Sequence, residues 1–224
     1  MKTQNIIVCA LVTPTLLACS LFDSDKKIDD VDKWIESGVT LEEARTTFIN
    51  LGLEALDVYD TEGATLLEDL PTDLPGDEAT YTGMISGGDD APGSDGAAEP
   101  QGDVTHYANL SLTVNFADNT LTGEATDFVT NVEGFENPTG TVDIDGDILS
   151  VGDFAGIDLS GIGLLEQGDS TANWEISTSP DEAGFAGADG RVLGGYQITD
   201  IDWLEGPNAE TTDISDGLFA AERD

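Results

Sequence analysis

Residues 110–128 read LSLTVNFADNTLTGEATDF. Leu110, Leu112, Val114 and Phe116 alternate with Ser111, Thr113 and Asn115, so a strand here has one dry face and one wet face. Ala117-Asp118-Asn119 is turn chemistry, and a second strand is expected over 120–129. A dry face on one side only implies a filled interior with water outside. A membrane-spanning barrel would invert that arrangement, with longer strands and an apolar band facing lipid.

Working outward, the same period of two recurs over 80–86, 141–144, 148–151, 171–177 (with Trp174 and Ile176), 190–198 and 217–221. Asp145-Gly146-Asp147, between Thr141–Ile144 and Ile148–Val151, reads as a hairpin turn. The pattern predicts eight short strands, or nine if 157–165 also pairs, joined by Gly, Asp and Asn turns. Such a chain is mainly β, an antiparallel sandwich or closed barrel. Residues 86–103 (SGGDDAPGSDGAAEPQGD) contain no large apolar side chain and are expected to be a loop between the first two strands.

Upstream the period changes. Thr40-Leu41-Glu42-Glu43 is a capping box, and Leu41, Ala44, Phe48, Leu51 and Ala55 recur at three and four, an amphipathic helix expected to hold to about Leu51, where Gly52 weakens it. A first helical piece over 29–37 carries Val31, Trp34 and Ile35 on one face. Residues 29–59 are therefore a short helical segment, 60–79 with Leu70-Pro71, Leu74-Pro75 and Gly76 a linker, and 80–224 the β domain.

Residues 1–18 read as an export signal: Lys2, then an apolar run from Ile6 to Leu17 that is shorter than the roughly 20 residues a spanning helix needs. Leu16-Leu17-Ala18-Cys19 looks like a bacterial lipobox, which implies cleavage before Cys19 and acylation of its thiol. Cys9 would leave with the signal, so no internal disulfide remains possible. Residues 19–28 then serve as a lipidated tether, and Ser20 after the cysteine implies delivery to the outer membrane.

Charge excludes one class of partner outright. The chain carries 46 Asp+Glu against 7 Lys+Arg, a net charge of −39, and neither Lys nor Arg occurs between Arg45 and Arg191. Nothing here can displace counterions from a phosphate backbone, so no nucleic acid is expected. A basic partner would be favoured electrostatically.

With the strands placed, three spaced motifs resemble a known family. Residues 81–88 (YTGMISGG) resemble the opening strand of the transferrin-binding protein B-like β-barrel surface lipoproteins, and residues 110–128 their second hairpin. Gly206-Pro207-Asn208-Ala209-Glu210, followed by Gly217-Leu218-Phe219-Ala220-Ala221, is similar to their closing loop and strand. This chain departs at Leu204-Glu205, where the family usually has an aromatic pair, and at Asp216-Gly217, where it usually has two glycines. The resemblance implies an eight-stranded antiparallel β-barrel on a surface lipoprotein that binds a protein or small molecule, with iron or haem uptake as the family's theme.

The chemistry-bearing residues point the same way. Asp143-x-Asp145-Gly146-Asp147 fails the EF-hand pattern, because Ile148 follows and Phe154 stands in the twelfth place, so no metal site is expected. His106 is the only histidine; it could be an axial haem ligand, but beside a strand start it reads as a surface residue. There is no Gly-x-Ser-x-Gly elbow, Walker A or dinucleotide fingerprint, and neither catalysis nor a cofactor is expected. Trp203 and Leu204, in a loop before Gly206-Pro207, are the expected ligand contacts at the barrel rim, the alternative being that Trp203 folds back onto the barrel end. The rival to a binding module is an acidic structural envelope lipoprotein that binds nothing.

Overall fold

The computed structural model describes residues 39–72, 74–88, 104–130 and 136–224. The leader over 1–18, Cys19 with its tether, the 29–37 helix and most of the 86–103 loop lie outside the described residues. No helix among the described residues is long and apolar enough to cross a membrane.

The chain is mainly β. Helix α1 (Leu41–Glu62) precedes β1 (Glu78–Gly88), β2 (Val104–Asn115), β3 (Thr120–Thr130), β4 (Val142–Val151) and β5 (Phe154–Gln167). Then come β6 (Ser170–Ser177), β7 (Ala183–Ala186), β8 (Val192–Glu205) and β9 (Thr212–Arg223). All nine form one antiparallel sheet that closes on itself. The order runs β4-β3-β2-β1-β9-β8-β6-β5, and β5 pairs back to β4. Eight strands complete the ring. The short β7 fills the gap beyond the end of β6, pairing with both β5 and β8.

The alternation read from residues 110–116 fixes which face turns inward. Leu110, Leu112 and Val114 are buried with Tyr81, Leu121, Ile144, Ile157, Leu165 and Leu193 in one interior cluster. An eight-stranded barrel has a bore just wide enough for side chains to fill, and these fill it. At one end, Phe185 packs against Tyr81 and Phe116 at centroid distances of 5.9 and 6.2 Å, and the Tyr81 hydroxyl donates to the Gly190 carbonyl at 2.5 Å.

Asp145-Gly146-Asp147 is not a turn. Val142, Ile144 and Ile148 are buried on one face of a single strand, and Gly146 keeps the same phase. Gly146 pairs with Leu159 across the ladder, and a Cβ there would meet the Asp158 carbonyl at 2.6 Å. The glycine thus permits close approach within the sheet rather than reversal. The reversal comes at Gly152-Asp153, between the paired Val151 and Phe154, where Gly152 has φ 63°.

Helix α1 starts at the expected capping box, with the Thr40 hydroxyl accepting from the Glu43 amide. It does not stop near Leu51. Glycine within a helix costs about 1 kcal/mol relative to alanine, but Leu51 and Val58 on either side of Gly52 are both buried, and that packing outweighs the penalty. The helix ends at Gly63 with φ 86°. It lies on the outside of the barrel: Ala44, Phe48 and Leu51 pack on the outward-facing Met84, Tyr107, Val129 and Ala220.

The stretch read as a linker is also packed. The Thr65 amide donates to the Phe185 carbonyl at 2.9 Å, and its hydroxyl to the Gly187 carbonyl at 2.8 Å. Leu66 bridges to Phe154, while Leu67, Leu70 and Leu74 join the interior cluster at that end. With Leu70 buried and Leu67 and Leu74 partly buried against the cluster, the Leu-Pro-rich stretch is a barrel cap rather than a spacer.

Candidate functional site

A concave apolar feature lies outside the barrel, between α1 and the sheet. Over its first half the helix seats large side chains on the wall, with the Phe48 and Tyr107 rings 5.4 Å apart. Farther along, both surfaces become small. Gly52 and Ala55 on the helix face Gly184, Ala186, Gly194 and Gly195 on β7 and β8. These small residues leave part of the separation unfilled. A cavity of about 120 Å³ remains, with Phe48, Leu56 and Tyr59 as one wall and Val192, Leu218 and Phe154 among the other lining residues. That volume exceeds the space one water needs, and an apolar lining gives water few partners.

One lining side chain is charged. Glu182, just before β7, is half-buried, and burial, then the nearby Asp181 and Asp216 carboxylates, push its pKa above the ordinary value. Tyr196 lies beside it: its amide donates to the Glu182 carbonyl at 3.1 Å. Its hydroxyl is held protonated beyond the usual range, first by burial and then by donating to Asp216. Arg191, adjacent to the lining residue Val192, is paired with Glu62 at 3.2 Å. The electrostatic character of the cavity is therefore apolar walls with acid at one side.

The expected rim pair is split by the sheet. Trp203 is 8% exposed and belongs to the interior cluster, its indole Nε1 donating to Asp213 Oδ2 at 2.7 Å. It is a core residue at the barrel end and not an exposed anchor. The alternation of β8 that buries Leu193, Gln197, Thr199 and Ile201 reaches it in phase. Leu204, the next residue, faces outward and is 54% exposed. It sits on a wall that also exposes Ile162, Leu164 and Ile214 among Glu175, Asp200 and Asp202.

His106 is likewise inside rather than at the surface. Its ring meets Trp174 edge-on at 4.8 Å, and Trp174 meets Phe128 at 5.2 Å. Gly87 opposes His106 in the ladder, and a Cβ there would overlap the imidazole. Burial lowers the His106 pKa from 6.5 to about 4, so the ring is neutral at pH 7. Asp143, Asp145 and Asp147 are exposed on the outer face of β4. Among the described residues no three His, Cys, Asp or Glu side chains gather as a metal-ligand set.

The cavity was not legible as a site. Its helical wall lies beyond Gly52, where the helix is expected to weaken, and β7 is only four residues long. The available signal was the continuation of the stripe through Ala55, Leu56, Val58 and Tyr59, together with the small-residue runs 183–187 (AGFAG) and 193–195 (LGG). The sequence matches no protein-family model and no curated protein.

Proposed function

We propose that this chain is a lipid-anchored outer-membrane binding module, tethered through Cys19, whose barrel is a rigid scaffold. Capture takes place on its outside, in the cavity between α1 and the β7–β9 wall. The observation that carries this reading is the cavity itself, about 120 Å³ with almost wholly apolar walls. A preformed apolar concavity with few polar groups is the usual form of a small-molecule site, whereas the bore is occupied by the protein's own side chains. The resemblance to transferrin-binding protein B-like barrels supports capture over catalysis, and within that family theme the cargo would be iron- or haem-related. The lining favours a small organic ligand.

The filled bore and the acid-rich outer wall favour the second reading, an acidic envelope lipoprotein that binds nothing. The two separate in a titration of the chain beginning at Ser20 with the neutral apolar fluorophore N-phenyl-1-naphthylamine. Saturable enhancement, abolished by Gly52→Leu and retained in Leu204→Ala, supports the cavity. Enhancement lost in Leu204→Ala and retained in Gly52→Leu would move the site to the outer wall beside the rim. No enhancement with the folded chain leaves the structural reading. The anchor is tested separately: Cys19→Ser should shift the protein from the membrane to the soluble fraction, and unchanged fractionation would overturn it.

A further inference from the structure

We infer that the cavity under α1 selects amphiphilic cations, an apolar tail carrying a protonated amine, with the tail between Gly52, Ala55 and the β8–β9 wall and the amine on Glu182. This rests on the cavity being a binding site, as proposed above. Geometry sets the polarity. Glu182 is the one ionisable carboxylate among the lining residues, half-buried where the cavity meets β7. Asp216 stands on the outer face of β9 beside it, two residues from the lining Leu218, and Tyr196 pairs with Leu218 across the ladder. A cation placed there meets two carboxylates and no competing guanidinium, because Arg191 is engaged by Glu62.

Other ligand charges fare worse. An anionic head group would be driven against Glu182 and Asp216 inside a protein of net charge −39. A neutral ligand would gain the apolar contacts alone. The ammonium also offsets the repulsion on Glu182, which is held among the Asp181 and Asp216 charges and partly out of water.

The test displaces N-phenyl-1-naphthylamine from the chain beginning at Ser20 with three probes of one tail length, octylamine, octanol and octyl sulfate, all below micelle formation at pH 7. Octylamine should compete about tenfold more tightly than octanol, with octyl sulfate weakest. Glu182→Gln should remove most of the octylamine preference, Asp216 keeping the remainder, and leave octanol unchanged. If the three probes compete equally in the native chain, the cavity stands as a site and its charge selection is overturned. If the preference for octylamine survives undiminished in Glu182→Gln, the assignment to Glu182 is overturned in favour of the general acidic field. If the fluorophore itself never binds, the underlying reading fails, and this inference with it.

Discussion

Replacing His106 with phenylalanine should change how stability depends on pH more than stability itself. The imidazole is packed on Trp174 and is 5% exposed. A phenyl ring preserves an edge-on contact there while removing the titration. Because the folded pKa falls from 6.5 to about 4, the unfolded chain binds the proton more readily than the native one. The native state is thus favoured above pH 6.5, and this contribution is lost as pH falls from there towards 4. Linkage makes the loss about 2 kcal/mol between pH 7 and pH 5, and about 3 kcal/mol by pH 4. The acidic surface works in the opposite sense, because protonating carboxylates relieves repulsion in a chain of net charge −39. The comparison between native protein and His106→Phe cancels that shared term. Urea unfolding at pH 7 and pH 5 should show the native protein losing about 2 kcal/mol more than the variant. An equal pH dependence, or an imidazole that titrates near 6.5 by proton NMR, would refute the burial argument.

Gly52→Ala should stabilise by about 1 kcal/mol, because the new methyl projects from a helix face that lines the cavity; a lower urea midpoint would mean that the helix is closed onto the wall. Trp203→Phe removes the bond to Asp213 and should cost about 1–2 kcal/mol, while the exposed Leu204→Ala stays within about 0.5 kcal/mol. Equal effects in calorimetry would contradict their opposite facing. Added salt should raise the urea midpoint steadily. Glu124–Asp143, Asp147–Asp158 and Glu175–Asp200 are like-charged pairs directly opposed across the ladder, each costing a few tenths of a kcal/mol that screening removes. A midpoint independent of NaCl would count against that repulsion.

Period-two patterning brings most of the barrel into view, because most inward residues of a filled bore are apolar, with Gln197 and Thr199 as exceptions in the same phase. It fails where a glycine interrupts an otherwise apolar face. Asp145-Gly146-Asp147 has the composition of a turn, although Ile144 and Ile148 stand in phase around it; a two-residue reversal there would pair the flanking residues with each other instead of continuing one face. Gly52 misleads for a related reason. Helix propensity is local, but Leu51 packs on the barrel wall and Val58 is buried, contacts invisible before the strands are placed. Trp203 and His106 show the limit for single side chains. Both lie near strand ends, where exposure depends on the bore and the neighbouring strand rather than on adjacent residues. The cavity is made by what small residues leave unfilled, and a space between distant segments leaves no motif of its own.

The most direct measurement is a crystal structure of the chain soaked with a bromine-tipped alkylamine, with the bromine located by its anomalous scattering. The account predicts bromine between α1 and the β7–β9 wall, close to Gly52 and Gly194, with the amine towards Glu182. Bromine within the bore beside Trp174 and Leu193, or on the outer wall around Leu204, would contradict it.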